Sequence, residues 1–233
     1  MRKDNLGNRM KENYENRYRM KLQRRTPVII RLDGKAFHTL TRKCIKPFDE
    51  HFSESMLITA KYLCSEIQGC KCAYIQSDEI SLLLTDFDTF ETEAWFDYNI
   101  QKITSVSAAT ASIIFSNSFF DKWGIAVFDS RAFNIPKEEV HNYFLWRQLD
   151  WVRNSIQMLA QANFSHKELH GKNSSDMHEM LHTKNINWTY LQPKWKNGVF
   201  IIKRQIEGWA VVDDINLKEK KNVFDRFLYE VQE

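Results

Sequence analysis

The run CAYIQSDEISLLL, residues 72–84, limits the possible folds of this chain more than any other stretch. Two apolar strands, Cys72 to Gln76 and Ile80 to Leu84, flank a few polar residues, and only a tight hairpin joins strands so closely spaced. Upstream, from Asp49 to Gln68, Phe52, Met56, Leu57, Ala60, Leu63, Cys64 and Ile67 recur at three- and four-residue steps, the period of an amphipathic helix. Downstream, Glu91 to Phe120 is rich in Ala and Ser and reads as a long helix. A strand precedes the first helix (PVIIRLDG, opened by Pro27 and closed by Asp33-Gly34), and another follows the second (GIAVFDSRAF). Strand, helix, strand, strand, helix, strand is the split βαββαβ order. It predicts an α+β fold: an antiparallel sheet with helices on one face.

Beyond Pro136 the pattern turns mainly helical, with HNYFLWRQLDWVRNSIQMLAQANF as its strongest helix. Strands return at GVFIIKRQ and GWAVVDD, and a short helix closes the chain. With four prolines, seven glycines and no Pro- or Ser/Gly-rich linker among 233 residues, the two regions, 1–135 and 136–233, are expected to pack as one compact unit.

No apolar run approaches the roughly 20 residues that span a bilayer, and the N-terminus has no signal-peptide core. A cytoplasmic protein is expected. Four cysteines are too few for a disulfide framework, and the spacing of Cys64, Cys70 and Cys72 fits no common zinc site, so reduced thiols are expected. The formal charge is only +3, yet residues 1–25 hold nine Lys and Arg against three acids. A basic N-terminal helix beside an acidic remainder suits a polyanion, although a solvated helix face carries the same pattern.

In this topology the first strand and the central hairpin are neighbours, which lets Asp33 approach Asp78 and Glu79. Two carboxylates about 4 Å apart repel by roughly 4 kcal/mol at an effective dielectric near 20. Such a pair calls for a proton or a cation; two unrelated surface turns would carry the same residues. Mg²⁺ is the natural cation, since it takes one or two carboxylates and leaves room for water and phosphate. Gly34 lets the backbone approach a metal or phosphate. In an extended strand Asp78 and Glu79 point to opposite faces, so Asp78 is the direct ligand and Glu79 a supporting acid.

The segments RLDGKAFHTLTR, KPFD, YIQSDEISLLL, QKITSVSAA and FDSRAFNIP occur in that order, followed by WRQLDWVRNSIQ, SHKELHGKNSSDMHEML and NWTYLQPKWKNG. Together they resemble the tRNA-His guanylyltransferase family, in particular its bacterial and archaeal relatives, the 3′–5′ tRNA-repair polymerases. The resemblance implies a polymerase-like palm carrying two Mg²⁺ ions on Asp33, Asp78 and the Gly34 carbonyl. It implies a nucleoside triphosphate (ATP or GTP) over Asp33, Gly34, Lys35, Ala36, Phe37 and His38, and over Ser77 and Asp78. Lys46 and Asp49, with His38, match positions facing the activating nucleotide, and Lys102 matches one near a triphosphate. The implied catalytic acids are Asp33, Asp78 and Glu79.

The implied chemistry adds nucleotides to the 5′ end of tRNA after ATP activates its 5′-monophosphate. HNYFLWRQLDWVRNSIQ stands where the eukaryotic branch carries His-Ile-Asn-Asn-Leu-Tyr-Asn, which favours template-directed 5′-end repair over guanylylation of tRNA-His. Arg147, Arg153, Asn154, His170 and Lys172 are the candidate RNA contacts, although Arg147 and Arg153 could equally pair with Asp150 at helical spacing. His166/His170 and His178/His182 have i, i+4 spacing but no completing ligand for zinc. A homotetramer is also implied. Two other functions fit the residues: a palm-type nucleotide cyclase, although QSDEIS lacks a Gly-Gly-Asp-Glu-Phe signature, and a non-catalytic RNA-binding protein.

Overall fold

The computed structural model describes residues 5–119, 124–204 and 208–229. Six strands form one antiparallel sheet in the order β4-β1-β3-β2-β5-β6: β1 Val28–Gly34, β2 Cys70–Gln76, β3 Glu79–Leu84, β4 Phe128–Asn134, β5 Val199–Arg204 and β6 Gly208–Val212. Its first four strands are the predicted split βαββαβ unit. The returning strands β5 and β6 extend the same sheet from the β2 edge, so residues on both sides of Pro136 build it.

The helices are α1 Asn5–Met10, α2 Phe37–Leu40, α3 Glu50–Glu66, α4 Ile100–Ser118, α5 Val140–Gln161, α6 His166–Leu169, α7 Ser174–Thr183, α8 Pro193–Asn197 and α9 Asp225–Leu228. On one sheet face, Ile30, Leu32, Ala73, Ile75, Ile80 and Leu82 pack against Met56, Ala60 and Leu63 of α3 and Ile103, Ala111 and Phe115 of α4. On the other, Ile29, Tyr74, Leu83 and Phe200 meet Val140, Tyr143 and Phe144 of α5, with Leu217 and Phe224 from the C-terminal segment. Both faces of the central strands are therefore covered, which explains why VIIRL and SLLL read as near-continuous apolar runs. A third, smaller cluster joins the far half of α5 (Ile156, Leu159) to Leu169, Met177 and Leu181.

The second palm helix is shorter than its expected span of Glu91 to Phe120. Phe96, Asp97 and Tyr98 adopt left-handed backbone (φ 52°, 50° and 53°), and the Asn99 side chain caps α4 by accepting the Lys102 N–H. Helical backbone cannot continue through such residues, so α4 starts at Ile100. Phe120 and Gln205, included in expected elements, lie outside the described residues, as do Arg2 and Lys3 of the basic N-terminus. Among the described residues no helix is long and apolar enough to cross a membrane, and the four cysteines are free thiols.

Candidate functional site

The site forms where β1 ends beside the β2–β3 hairpin. Gln76 pairs with Glu79, leaving Ser77 and Asp78 as a two-residue turn with Ser77 left-handed at φ 47°. The Gly34 N–H donates to the Asp78 carbonyl (3.1 Å), fastening the end of β1 to that turn. Lys35 N–H bonds the Val127 carbonyl (2.8 Å), and Ala36, left-handed at φ 56°, swings the chain into α2. Phe37 then buries its ring among Phe52, Phe115 and Phe128.

That ring explains the glycine. A Cβ at Gly34 would stand 2.4 Å from Phe37 Cγ, far inside contact distance. Gly34→Ala must displace the ring or the strand end; overpacking of this kind costs about 1–3 kcal/mol. Thermal melting of Gly34→Ala is expected to show a loss in Tm of roughly 2–10 °C. An unchanged Tm would mean that Phe37 is not held as described.

Beside the turn lies an open pocket of about 350 Å³. Of the predicted nucleotide-binding residues, Gly34, Ala36, Phe37, His38, Lys46, Asp49, Ser77 and Asp78 line it. Asp33, partly exposed, does not line it, and Lys35 is solvent-exposed outside it. Asp49 is also the N-cap of α3: its two oxygens accept N–H bonds from Phe52 and Ile45, each at 2.9 Å. Lys46 Nζ bonds the Thr41 carbonyl at 3.2 Å.

Sequence reasoning missed the aromatic wall. Phe48 and Trp195 stack with ring centroids 4.7 Å apart and planes 8° from parallel, with Trp151 beside them. Lys194, over the Trp195 ring and paired with Glu50, closes that side. The signal was present in KPF and KWK, but nothing local says that these segments meet.

Three further candidates have these surroundings. Lys102 is exposed at the first turn of α4, about 20 Å along the helix from Phe115, which packs beneath the pocket loop. It lies beside Arg19, Gln101 and Ser105, outside the pocket that Gly34 and Asp78 line. Glu79 is buried, with both oxygens engaged: Arg147 Nε to Oε1 and Arg147 Nη2 to Oε2, each at 2.7 Å, and Arg31 Nη2 to Oε2 at 2.7 Å. It therefore serves as an anchor and is not free to act as a catalytic acid. Arg147, expected to contact RNA, is 4% exposed and forks onto Glu79 and Asp150 (3.0 Å). Its Nε and Nη2 donors are both spent on carboxylates inside the protein.

Of the other RNA candidates, Arg153 is exposed and paired with Asp150, and Asn154 approaches the same carboxylate at 3.5 Å. His170 and Lys172 are exposed between α6 and α7. The His166 and His170 rings are 6.4 Å apart, and no group of three His, Cys, Asp or Glu converges as a metal site among the described residues.

Burial pushes the Asp78 carboxyl above its ordinary range, and the charges of Asp33 and Glu79 push it further, against hydrogen bonds from its own backbone and Ser77. Arg147 and Arg31 occupy Glu79, whereas Arg31 and Arg131 approach Asp33 only to 3.9 Å, outside hydrogen-bond reach, so the demand for a cation is greatest at the Asp78 turn beside it. The Asp78 carboxylate and Gly34 on the pocket, with the Asp33 carboxylate at the same strand end, are an oxygen set that fits Mg²⁺, which keeps water and phosphate in its remaining positions.

Comparisons agree with this architecture. The family described as tRNAHis guanylyltransferase matches residues 7–136. A solved bacterial tRNA(His) guanylyltransferase-like protein in complex with ATP superposes with a TM-score of 0.91 at 46% identity, covering 96% of this chain and 99% of that one. A second such protein, in complex with GTP, gives 0.82 at 40% identity, covering 97% and 100%. The tRNA(His) guanylyltransferase of Schizosaccharomyces pombe is 27% identical over 85% of this chain and 82% of its own length. With more than half its length matched by the family, and the palm sheet and pocket in place, the chain belongs to the tRNAHis guanylyltransferase family of nucleotidyltransferases.

Proposed function

We propose that this protein is a Mg²⁺-dependent 3′–5′ nucleotidyltransferase that rebuilds the 5′ end of tRNA by template-directed addition, acting in the cytoplasm as a homotetramer. The observation that carries the reading is the Gly34–Asp78 bond, which sets the Asp33 end of β1 against the Asp78 turn at the mouth of a nucleotide-sized pocket. The ATP and GTP found on the solved relatives support a triphosphate in that pocket. The 46% identity to a bacterial guanylyltransferase-like protein, against 27% to the fission-yeast guanylyltransferase, favours the repair branch.

Asp33, Asp78 and the Gly34 carbonyl would hold the metal, which supplies charge neutralisation at phosphorus and a more acidic attacking hydroxyl. Phe48 and Trp195 offer an aromatic wall to the nucleobase, while His38 and Lys46 flank the phosphates. Two displacements follow from the implied chemistry. A 5′-phosphate oxygen attacks the α-phosphorus of ATP and pyrophosphate leaves; the 3′-hydroxyl of the incoming nucleotide then attacks the activated 5′ phosphorus and AMP leaves. His170 and Lys172, exposed between α6 and α7, would contact the tRNA.

The test is addition of labelled nucleotides to tRNA with and without a 5′ truncation, varying the opposing template base. Product that follows the template is expected. A single G added to intact tRNA-His whatever the template would assign guanylylation instead, and a cyclic product from nucleotide alone would assign a cyclase.

A further inference from the structure

The sheet face that carries Asp33 differs from the pocket side. Side chains alternate along β1, so Ile29, Arg31 and Asp33 share the face covered by α5. Their partners on β4 share it too, Arg131 opposite Arg31 and Asp129 opposite Asp33. α5 covers Ile29 but leaves the end of this face open: the side chains of Asp33, Asp129 and Arg131 are 34%, 57% and 53% exposed. At the border of that opening stands Trp146, 53% exposed, one residue before the buried Arg147.

An indole is seldom left so open while being held so firmly. The Arg147 guanidinium lies 4.5 Å from its ring centroid, the Arg31 guanidinium 5.9 Å, and the Tyr143 ring packs edge-on at 5.9 Å. Both arginines are themselves fixed by Glu79. The ring is thus a rigid aromatic plane, and one guanidinium, Arg31, joins it to Asp33, whose carboxylate is 3.9 Å away. Arg131 Nη2 stands 3.9 Å from the same Asp33 oxygen and donates to Asp129 Oδ1 at 3.2 Å, while its side chain stays half-exposed.

We propose that Trp146 is the platform on which the terminal nucleobase of the RNA's 5′ end stacks, with Arg131 receiving the adjoining phosphate. This deepens the function proposed above and rests on it. A concave pocket suits a free nucleotide, whereas an open face beside Asp33 admits the end of a polymer. Three arginines here, Arg31, Arg131 and Arg147, are balanced by Asp33, Asp129 and Glu79, so the half-exposed Arg131 is the cation offered to a phosphate, and cations bound at Asp33 would turn the balance toward a polyanion.

The experiment measures binding of a 5′-phosphorylated acceptor-stem hairpin RNA by fluorescence anisotropy at fixed salt, and of ATP and GTP by calorimetry. Trp146→Ala and Trp146→Leu are expected to weaken RNA binding about 10-fold or more. Trp146→Phe should stay near wild type, and all three should keep wild-type nucleotide affinity. Arg131→Ala should reduce the salt slope of RNA binding by about 1. Wild-type RNA affinity in Trp146→Leu overturns the proposal, as does a wild-type protein that binds no RNA. Lost GTP affinity with RNA affinity retained would move the platform to the incoming nucleotide, against the proposal. Because binding is read without turnover, a wild type that stacks RNA on Trp146 yet adds no nucleotide would overturn the catalytic function and leave Trp146 in place.

Discussion

Asp33→Ala and Asp78→Asn are each expected to cut nucleotide addition to a 5′-truncated tRNA by roughly a thousandfold, the scale on which a preorganised charge at the reacting phosphate acts. The same Asp78 variant should raise the stability of the metal-free protein. Its carboxyl is held above the ordinary range by burial and by two neighbouring charges, so the folded state binds a proton at Asp78 more tightly than the unfolded chain does. Stability from this group is fully present below the unfolded pKa and is lost as pH rises through the folded one. At neutral pH the ionised acid is therefore a liability, which Asn removes. Melting both proteins across pH 4 to 8 should give a higher Tm for the variant at the upper end and convergence at the lower. An Asp78→Asn protein with full activity, or one less stable than wild type at pH 8, would contradict the site as drawn.

Arg147→Met has the next largest effect, and on stability. Removing it takes both forked bonds from Glu79 and leaves a buried carboxylate with Arg31 as its remaining cation. Breaking one side of a buried pair costs about 3–5 kcal/mol. For a chain of this size the Tm should fall by roughly 6–15 °C. Adding Glu79→Gln to the same protein should recover much of that loss, since the orphaned charge is then gone. Denaturant unfolding of the two single variants and the double variant measures the coupling; additive losses would show that the pair is not a unit.

The strands were legible because the central sheet is buried on both faces and its runs are apolar almost without interruption. Asp33-Gly34 and Ser77-Asp78 were legible as turns for a local reason, their polarity between such runs. The inward course of Arg147 was also written in the helix: it stands four residues from both Tyr143 and Trp151, on the stripe that faces the core. Its positive charge suggested a surface contact, but the periodicity pointed inward. The Phe48–Trp195 wall was not legible, because rings almost 150 positions apart meet only through tertiary packing. The start of α4 at Ile100 turned on left-handed backbone at Phe96, Asp97 and Tyr98, a conformation that no pattern of apolar residues signals.

The strand order also has a consequence for synthesis. β2 pairs with β5, and its Tyr74 hydroxyl bonds the Asn197 carbonyl 123 residues further along. At about 5–20 residues per second a ribosome needs roughly 6–25 s to deliver that partner. Until then the hairpin that holds Asp78 presents an open apolar edge, a template for pairing with another chain. The nascent protein is thus most exposed to misassembly just after its palm is complete, and that exposure ends only when β5 leaves the exit tunnel and closes the sheet.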